Sequence, residues 1–302
     1  MILAWLVERF LPISSSVDPI AFFRFVCDRM ADKVLPPSQQ TQQHYISGAL
    51  GLITLVLPIV IIVSLIAEFA FYGWLFDAII LYLCLQFSQQ IRLMVLIKNA
   101  LRGSKKQLAK DLLQPSVLRD TAPLSEVGLN KANIEMFTLR LVYQQAVVMF
   151  CFVLLGPIAA LSYRLCYEAS QSWNIKLIRF SRFGWLSHSI CAIVQLIPTR
   201  LFCTLLLLLS FSKSSFKSLK MIFSTTVLFG PNGRFTLAAL AGTLGKNISG
   251  PLFYKGHKVR RTKFNHTEEV NLNDSLKVLA LGLRATAGFL CLLLVISWGL
   301  YA

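Results

Sequence analysis

Four ionisable side chains interrupt otherwise apolar stretches of this chain: Glu68, Asp77, Arg200 and Arg284. A charge near the centre of a bilayer costs at least about 2.5 kcal/mol, so a residue of this kind is retained for pairing, ion handling or ligand binding. Glu68 and Arg284 fall near the ends of their runs, where a long side chain reaches the headgroups and needs no further role. Asp77 and Arg200 lie deeper. They are intramembrane polar residues that either pair with each other, the structural reading, or hold a bound anion. Outside the apolar runs, Leu118-Arg119-Asp120-Thr121 follows an amphipathic stretch from Leu101 to Leu113. Gly230-Pro231-Asn232-Gly233 reads as a turn. It leads into a run of small residues from Ala238 to Gly245, then Gly250-Pro251 and Tyr254-Lys255-Gly256. Close backbone packing is one reading of these glycines; a surface whose free amides face an anionic ligand is the other. Leu240 stands five positions before Gly245-Lys246, so no ordinary P-loop is present.

Metal and thiol chemistry find no framework. The seven cysteines form no CxxC pair, and His44, His188, His257 and His266 are scattered, so neither a zinc site nor a disulfide pattern is expected and no metal ligand is assigned.

The setting of these residues follows from composition. Of 302 residues, 55% are hydrophobic and only 15% charged, against about 25% charged in a soluble domain. The net charge of +16 sits between apolar runs, a pattern that suits a lipid bilayer with anionic headgroups and speaks against nucleic acid as a partner. The opening MILAWLVERFLPI lacks a basic start and is broken by Glu8 and Arg9. It does not read as a cleaved signal peptide, and a short span, a re-entrant piece and an interfacial helix all stay open for it. Asp18-Pro19 then reads as a helix start, with Phe22, Val26 and Met30 at helical spacing. Residues 1–45 are thus an N-terminal segment with an amphipathic helix, lying on the membrane surface or packed on the protein.

From residue 46 the apolar runs predict an all-α polytopic bundle of about five spans, at 46–67, 69–90, 142–163, 190–211 and 280–301. Pro58 is tolerated inside the first. The short connection after Glu68 predicts an antiparallel hairpin of the first two. Lys and Arg concentrate in residues 91–141 and 212–275, which are therefore read as two long basic loops on the cytoplasmic side. The four basic residues between 164 and 184 must then face outward, against the same bias.

Taken together, Leu118-Arg119-Asp120-Thr121 followed by Ile134-Glu135, the segment Ile197-Pro198-Thr199-Arg200, and the stretch from Pro231-Asn232 through Ala241-Gly242 and Ser249-Gly250-Pro251 to Tyr254 and Gly256 resemble the CobD/CbiB family of cobalamin-biosynthesis membrane proteins. The resemblance implies ATP-dependent amide formation between a corrinoid carboxylate and aminopropanol or its phosphate, with ATP and magnesium as cofactors where that activity is retained. It implies Asp120 and Glu135 as catalytic candidates, Arg119, Asn232, Gly250 and Tyr254 as ligand-binding residues, and a bacterial inner-membrane location.

The chain departs from the family pattern at its acids. Where the family carries Glu-Asn and a following Asp, this sequence reads Leu139, Arg140, Leu141, Val142, Tyr143. Tyr167-Glu168-Ala169-Ser170-Gln171 stands for Asn-x-x-Asp-Ser, Cys191 and Ala192 for paired aspartates, and Leu237 for the acid after Pro-Asn-x-Gly. The AmpE-like branch of the superfamily, which is similar at Val7-Glu8-Arg9-Phe10, also lacks these acids. It implies a second function, a non-catalytic membrane sensor or regulatory protein, with a corrinoid or a partner membrane protein bound. A transporter built on Asp77 and Arg200 is a third, although no internal repeat supports it.

Overall fold

A computed structural model describes residues 1–14, 17–35, 41–210, 214–215, 218, 222, 231–248, 252–254, 257–259 and 268–301. They are overwhelmingly helical, and the chain divides into two compact units. One comprises residues 1–86, 147–196 and 293–302; the other, 87–146 and 197–292.

The first unit contains α1 (Ile2–Phe10), α2 (Pro19–Val34), α3 (Thr41–Glu68), α4 (Gly73–Leu85), α8 (Val147–Leu155), α9 (Pro157–Ser172) and α10 (Trp185–Val194). Asp18 caps α2 as its sequence implies, Oδ1 accepting from Ile20 N at 2.9 Å and Ala21 N at 3.2 Å. α9 is the hub, packed by α2, α3, α4, α8 and α10. Its C-terminal Trp173 is fully buried, donates Nε1–H to the Cys27 carbonyl at 3.0 Å and meets Phe183 edge-on at 4.9 Å. Two glycines admit this packing. A Cβ on Gly48 of α3 would lie 1.9 Å from the Phe183 carbonyl oxygen, and one on Gly184 would lie 1.8 Å from that of Trp173.

The second unit contains α5 (Ser88–Arg102), α6 (Lys106–Leu113), α7 (Glu126–Arg140), a π-helical turn (Leu141–Ala146), α11 (Leu196–Ser210, its first residue counted with the other unit) and α12 (Asn232–Leu244). A small antiparallel hairpin pairs Leu252–Tyr254 with His257–Val259, and most of α13 (Leu272–Tyr301) completes it. α5, α6 and α7 enclose an apolar core of Ile97, Leu101, Leu113, Leu129 and Met136. Ser125 caps α7, accepting from Gly128 N at 3.2 Å.

Among the described residues, four helical segments are long and apolar enough to cross a membrane: 42–68, 73–102, 126–155 and 272–299. The pair α10 and α11, bent by 50°, adds a fifth if it counts as one broken span. The number agrees with hydropathy; the boundaries of the second and third segments shift. The second segment was expected at 69–90, yet α5 continues it to Arg102 beyond Gln86, whose left-handed backbone (φ 30°) ends α4. The third was expected at 142–163, but the helix starts at Glu126 and breaks at Gly156. There φ is +85°, a backbone region that favours glycine, and Pro157 restarts the chain as α9. Residues 91–141, read from sequence as a basic loop between spans, are largely helical. They form the rest of α5, then α6 and α7, and residues 212–275 include α12 and the hairpin.

Candidate functional site

Ten consecutive residues of α7, Leu129 to Thr138, are buried, polar and apolar alike. An amphipathic helix buries one stripe and leaves the opposite face in water. Here the polar face is buried too, so each polar group has to find an internal partner or pay for lost water. Asn130 donates Nδ2–H to the Asn271 carbonyl at 2.9 Å and accepts from Ser275 Oγ at 2.7 Å. Asn133 donates to the Met94 carbonyl at 3.1 Å. Lys131 pairs with Glu269. Glu135, the acid singled out in the sequence, accepts at Oε2 from the Arg119 guanidinium, and both residues are buried. Gln114 holds the loop that carries Arg119: its Oε1 accepts from Thr121 N at 2.9 Å and from Thr121 Oγ1 at 2.6 Å. Asp120, between them in sequence, is half-buried.

One turn beyond Glu135, Arg140 donates to Gln90 Oε1 and, at 2.9 Å, to the Ser116 carbonyl. The helix then widens into the π-turn that carries Tyr143, Gln144 and Gln145. Turns of this kind recur at functional sites because they re-aim side chains within a helix. Tyr143 faces the start of α12: a Cβ on Gly233 would lie 3.5 Å from its hydroxyl and 3.8 Å from Leu139 Cδ2. At the same place Arg200 donates Nη1–H to Asn232 Oδ1 at 3.0 Å, and its Cζ stands 5.2 Å from the Phe235 ring centroid. Three segments thus bring Tyr143, Arg200 and Asn232 to the first turn of a helix, the end at which the helix dipole favours a negative charge. Gln144 Oε1, Gln145 Oε1 and Thr199 Oγ1 are buried in this unit with no hydrogen-bond partner.

Arg119, Glu135, Asn232 and Arg200 therefore all belong to this unit. Asn232 and Phe235 engage Arg200; Asp77 is a half-buried residue of α4 in the first unit. Tyr254 lies in the hairpin, its backbone in register with His257. Gly250 is outside the described residues. Gln114 and Asn130 are not singled out from sequence, and Arg140 and Tyr143 enter there only as residues standing where the family pattern carries acids. Asn130 belongs to a signal that was available, the density of polar residues in a stretch whose helical pattern has no purely polar side.

Magnesium with ATP, which the resemblance implies, calls for hard oxygen ligands, normally one or two protein carboxylates beside the phosphates. Two candidate carboxylates are present, Asp120, which is half-buried, and Glu135, and the groups around them fit magnesium poorly. Glu135 is engaged by Arg119, and the positions that follow on the same helix present an isobutyl group at Leu139, a cation at Arg140 and a phenol at Tyr143. Leu237 on α12 is buried and apolar. Among the described residues no three His, Cys, Asp or Glu side chains gather so as to hold a metal ion.

These features define a multi-pass, all-helical membrane protein with a buried, basic polar cluster. Its family follows from comparison: the chain belongs to the CobD/CbiB family, whose profile, described as CobD/Cbib protein, matches residues 1–281. It is similar to proteins named Cobalamin biosynthesis protein CobD from Chromobacterium violaceum, 26% identical over 84% of this chain and 82% of that one, and from Stutzerimonas stutzeri, 24% identical over the same shares. A protein named Probable cobalamin biosynthesis protein CobD from Methanothermobacter thermautotrophicus is 30% identical over 55% of this chain and 59% of its own length. No solved structure matches.

Proposed function

We propose that this chain is a bacterial inner-membrane protein that recognises a corrinoid through an anionic side group and does not carry out ATP-driven amide formation. The observation that carries the reading is the chemistry of the cluster: Arg119 engages Glu135, and Arg140 and Tyr143 stand in the stretch where the family pattern carries acids. A guanidinium beside a helix N-terminus suits a carboxylate or phosphate. The relatives' names supply the corrinoid, whose periphery offers such groups.

Two measurements on detergent-solubilised protein test this. Corrinoid titration with and without Mg-ATP is expected to give the same affinity in both, with no ATP hydrolysis above the detergent blank. ATP turnover that disappears in Asp120→Asn would establish the synthase reading instead, which the retained Asp120 and Glu135 favour. Absence of corrinoid binding under either condition would leave the sensor reading, with a partner protein as the ligand.

A further inference from the structure

The loop between α9 and α10, which the count of spans places outside, carries Lys176, Arg179 and Arg182 and no acid. All three are exposed, and the packing of the first unit fixes which end of its helices they occupy. A Cβ on Gly51, near the start of α3, would lie 3.5 Å from Met30 of α2 and 3.7 Å from Trp173 at the end of α9. Tyr45 of α3 and Trp185, the first residue of α10, meet edge-on with centroids 5.8 Å apart. Two apolar helices therefore begin at this end, and paired Tyr and Trp rings mark the level at which such helices leave hydrocarbon. Around that level apolar and basic groups alternate on the surface. Phe22, Phe25 and Ile178 are 68%, 53% and 88% exposed. The Arg29 guanidinium stands 5.1 Å from the Phe25 centroid, and that of Arg179 stands 4.9 Å from the Phe180 centroid. Arg179 also reaches Asp32 of α2, which ties the loop to that helix.

Acids do not cancel this charge. On α2 and its cap, Arg24, Arg29 and Lys33 balance Asp18, Asp28 and Asp32, and the buried Arg164 balances Glu168, so the three basic residues of the loop are the excess. The connection at the other end of α3, residues 68–73, carries Glu68 and no base. Lys and Arg beside span ends mark the cytoplasmic side. The count of spans gave the loop the opposite side because it took 142–163 as one crossing. α8 and α9 pack on each other with only Gly156 between them, so the chain reverses there instead. A face that met only water would gain nothing from exposed Phe and Ile at the level of the span ends; a headgroup layer offers an acyl boundary to these and phosphate to the basic groups. We infer that α2 lies in the cytoplasmic headgroup layer and that, with residues 174–185, it binds anionic phospholipid headgroups. The inference requires a membrane-spanning chain and not the corrinoid reading, so the two stand or fall separately.

The test titrates short-chain phosphatidylglycerol or phosphatidylcholine into the delipidated full chain in neutral detergent, with half-saturation read from tryptophan fluorescence. Phosphatidylglycerol is expected to half-saturate at a concentration about tenfold lower. Lys176→Gln and Arg182→Gln, both at exposed positions, should each reduce that preference about fivefold, and Asp32→Asn, which adds net positive charge, should raise it by a similar factor. A purely structural role for these residues would alter Tm and leave the preference between the two lipids unchanged. Equal half-saturation by both lipids overturns the proposal, as does full competition by glycerol phosphate, which would assign the face to a soluble anion. Sidedness is read separately. Ser181→Cys is placed in a Cys291→Ser background, where the remaining native thiols are buried, and a membrane-impermeant maleimide is expected to label it in inside-out vesicles and not in spheroplasts. Labelling in spheroplasts overturns the cytoplasmic placement.

Discussion

Arg119 and Glu135 close an ion pair from which water is almost excluded: side-chain exposure is 10% for the arginine and 7% for the glutamate. A buried pair gains little over a well-packed apolar substitute, but removing one partner strands the other and costs about 3–5 kcal/mol. Glu135→Leu and Arg119→Met are each expected to destabilise the protein by that order. The double variant should recover a large part of the loss. Thermal unfolding of all four proteins in one detergent checks this. Equal and additive losses would show that the two side chains act independently.

The close approaches around Trp173 make a second prediction. Backbone atoms, not flexible side chains, meet the missing Cβ of Gly48 and Gly184, so no rotamer change relieves the clash. Overpacking of this kind costs about 1–3 kcal/mol and more where backbone must move. Gly48→Ala and Gly184→Ala are expected at or above the top of that range. Gly73→Ala is the control: nothing lies within 4 Å of its added Cβ, and its stability should stay within about 0.5 kcal/mol of wild type.

How much of this was legible beforehand differs from element to element. The α2 start was readable because Asp18 and Pro19 are local signals whose physics needs no tertiary partner. The first span was readable for a similar reason, twenty or more residues without a charge. The third shifts because hydropathy counts Asn130, Lys131, Asn133 and Glu135 as groups that need water, whereas Asn271, Ser275, Glu269, Met94 and Arg119 engage them inside the protein, with Asn133 Oδ1 left without a hydrogen-bond partner. Those partners lie up to 145 positions away, beyond the reach of any window. Gly156-Pro157, by contrast, was a visible break that the apolar run on both sides concealed. In the site, Arg119, Glu135, Arg200 and Asn232 were found from sequence, but their pairing was not. Whether Arg200 meets Asp77 or Asn232 depends on packing that spacing does not encode.

Cys27 gives a prediction in pH. The thiol is fully buried on α2, and burial, reinforced by the charge of Asp28, pushes its pKa up to about 12. At pH 8 only about one molecule in ten thousand would carry the reactive thiolate there, against about one in ten for a thiol near 9. Cys27 should resist maleimide in the native protein at pH 8 and react once the chain is unfolded. The sign of the linked stability follows. The folded state holds the proton more tightly than the unfolded state, so its contribution is complete below about pH 8.5 and declines as pH rises toward 12. Cys27→Ala is expected to flatten that alkaline decline, read from Tm between pH 8 and pH 10.5. An unchanged slope would show that other groups set it.

The last prediction separates the recognition role of Arg200 from a structural one. Its guanidinium spans Asn232 Oδ1 and the Phe235 face, and a flat, delocalised cation does both at once. A lysine keeps the charge but offers neither the second donor plane nor the stacking surface. If the first turn of α12 and Arg200 together receive an anionic group, Arg200→Lys should weaken corrinoid binding by about tenfold and Arg200→Ala by more, the losses expected for a charge-assisted contact. Asn232→Ala leaves the guanidinium free to turn toward the ligand, so its effect should be smaller than that of Arg200→Ala. Isothermal titration of each solubilised variant, with unfolding curves to confirm that the fold is intact, decides the order. Arg200 variants that unfold early but bind as wild type would assign this residue to bundle packing and move recognition elsewhere in the unit.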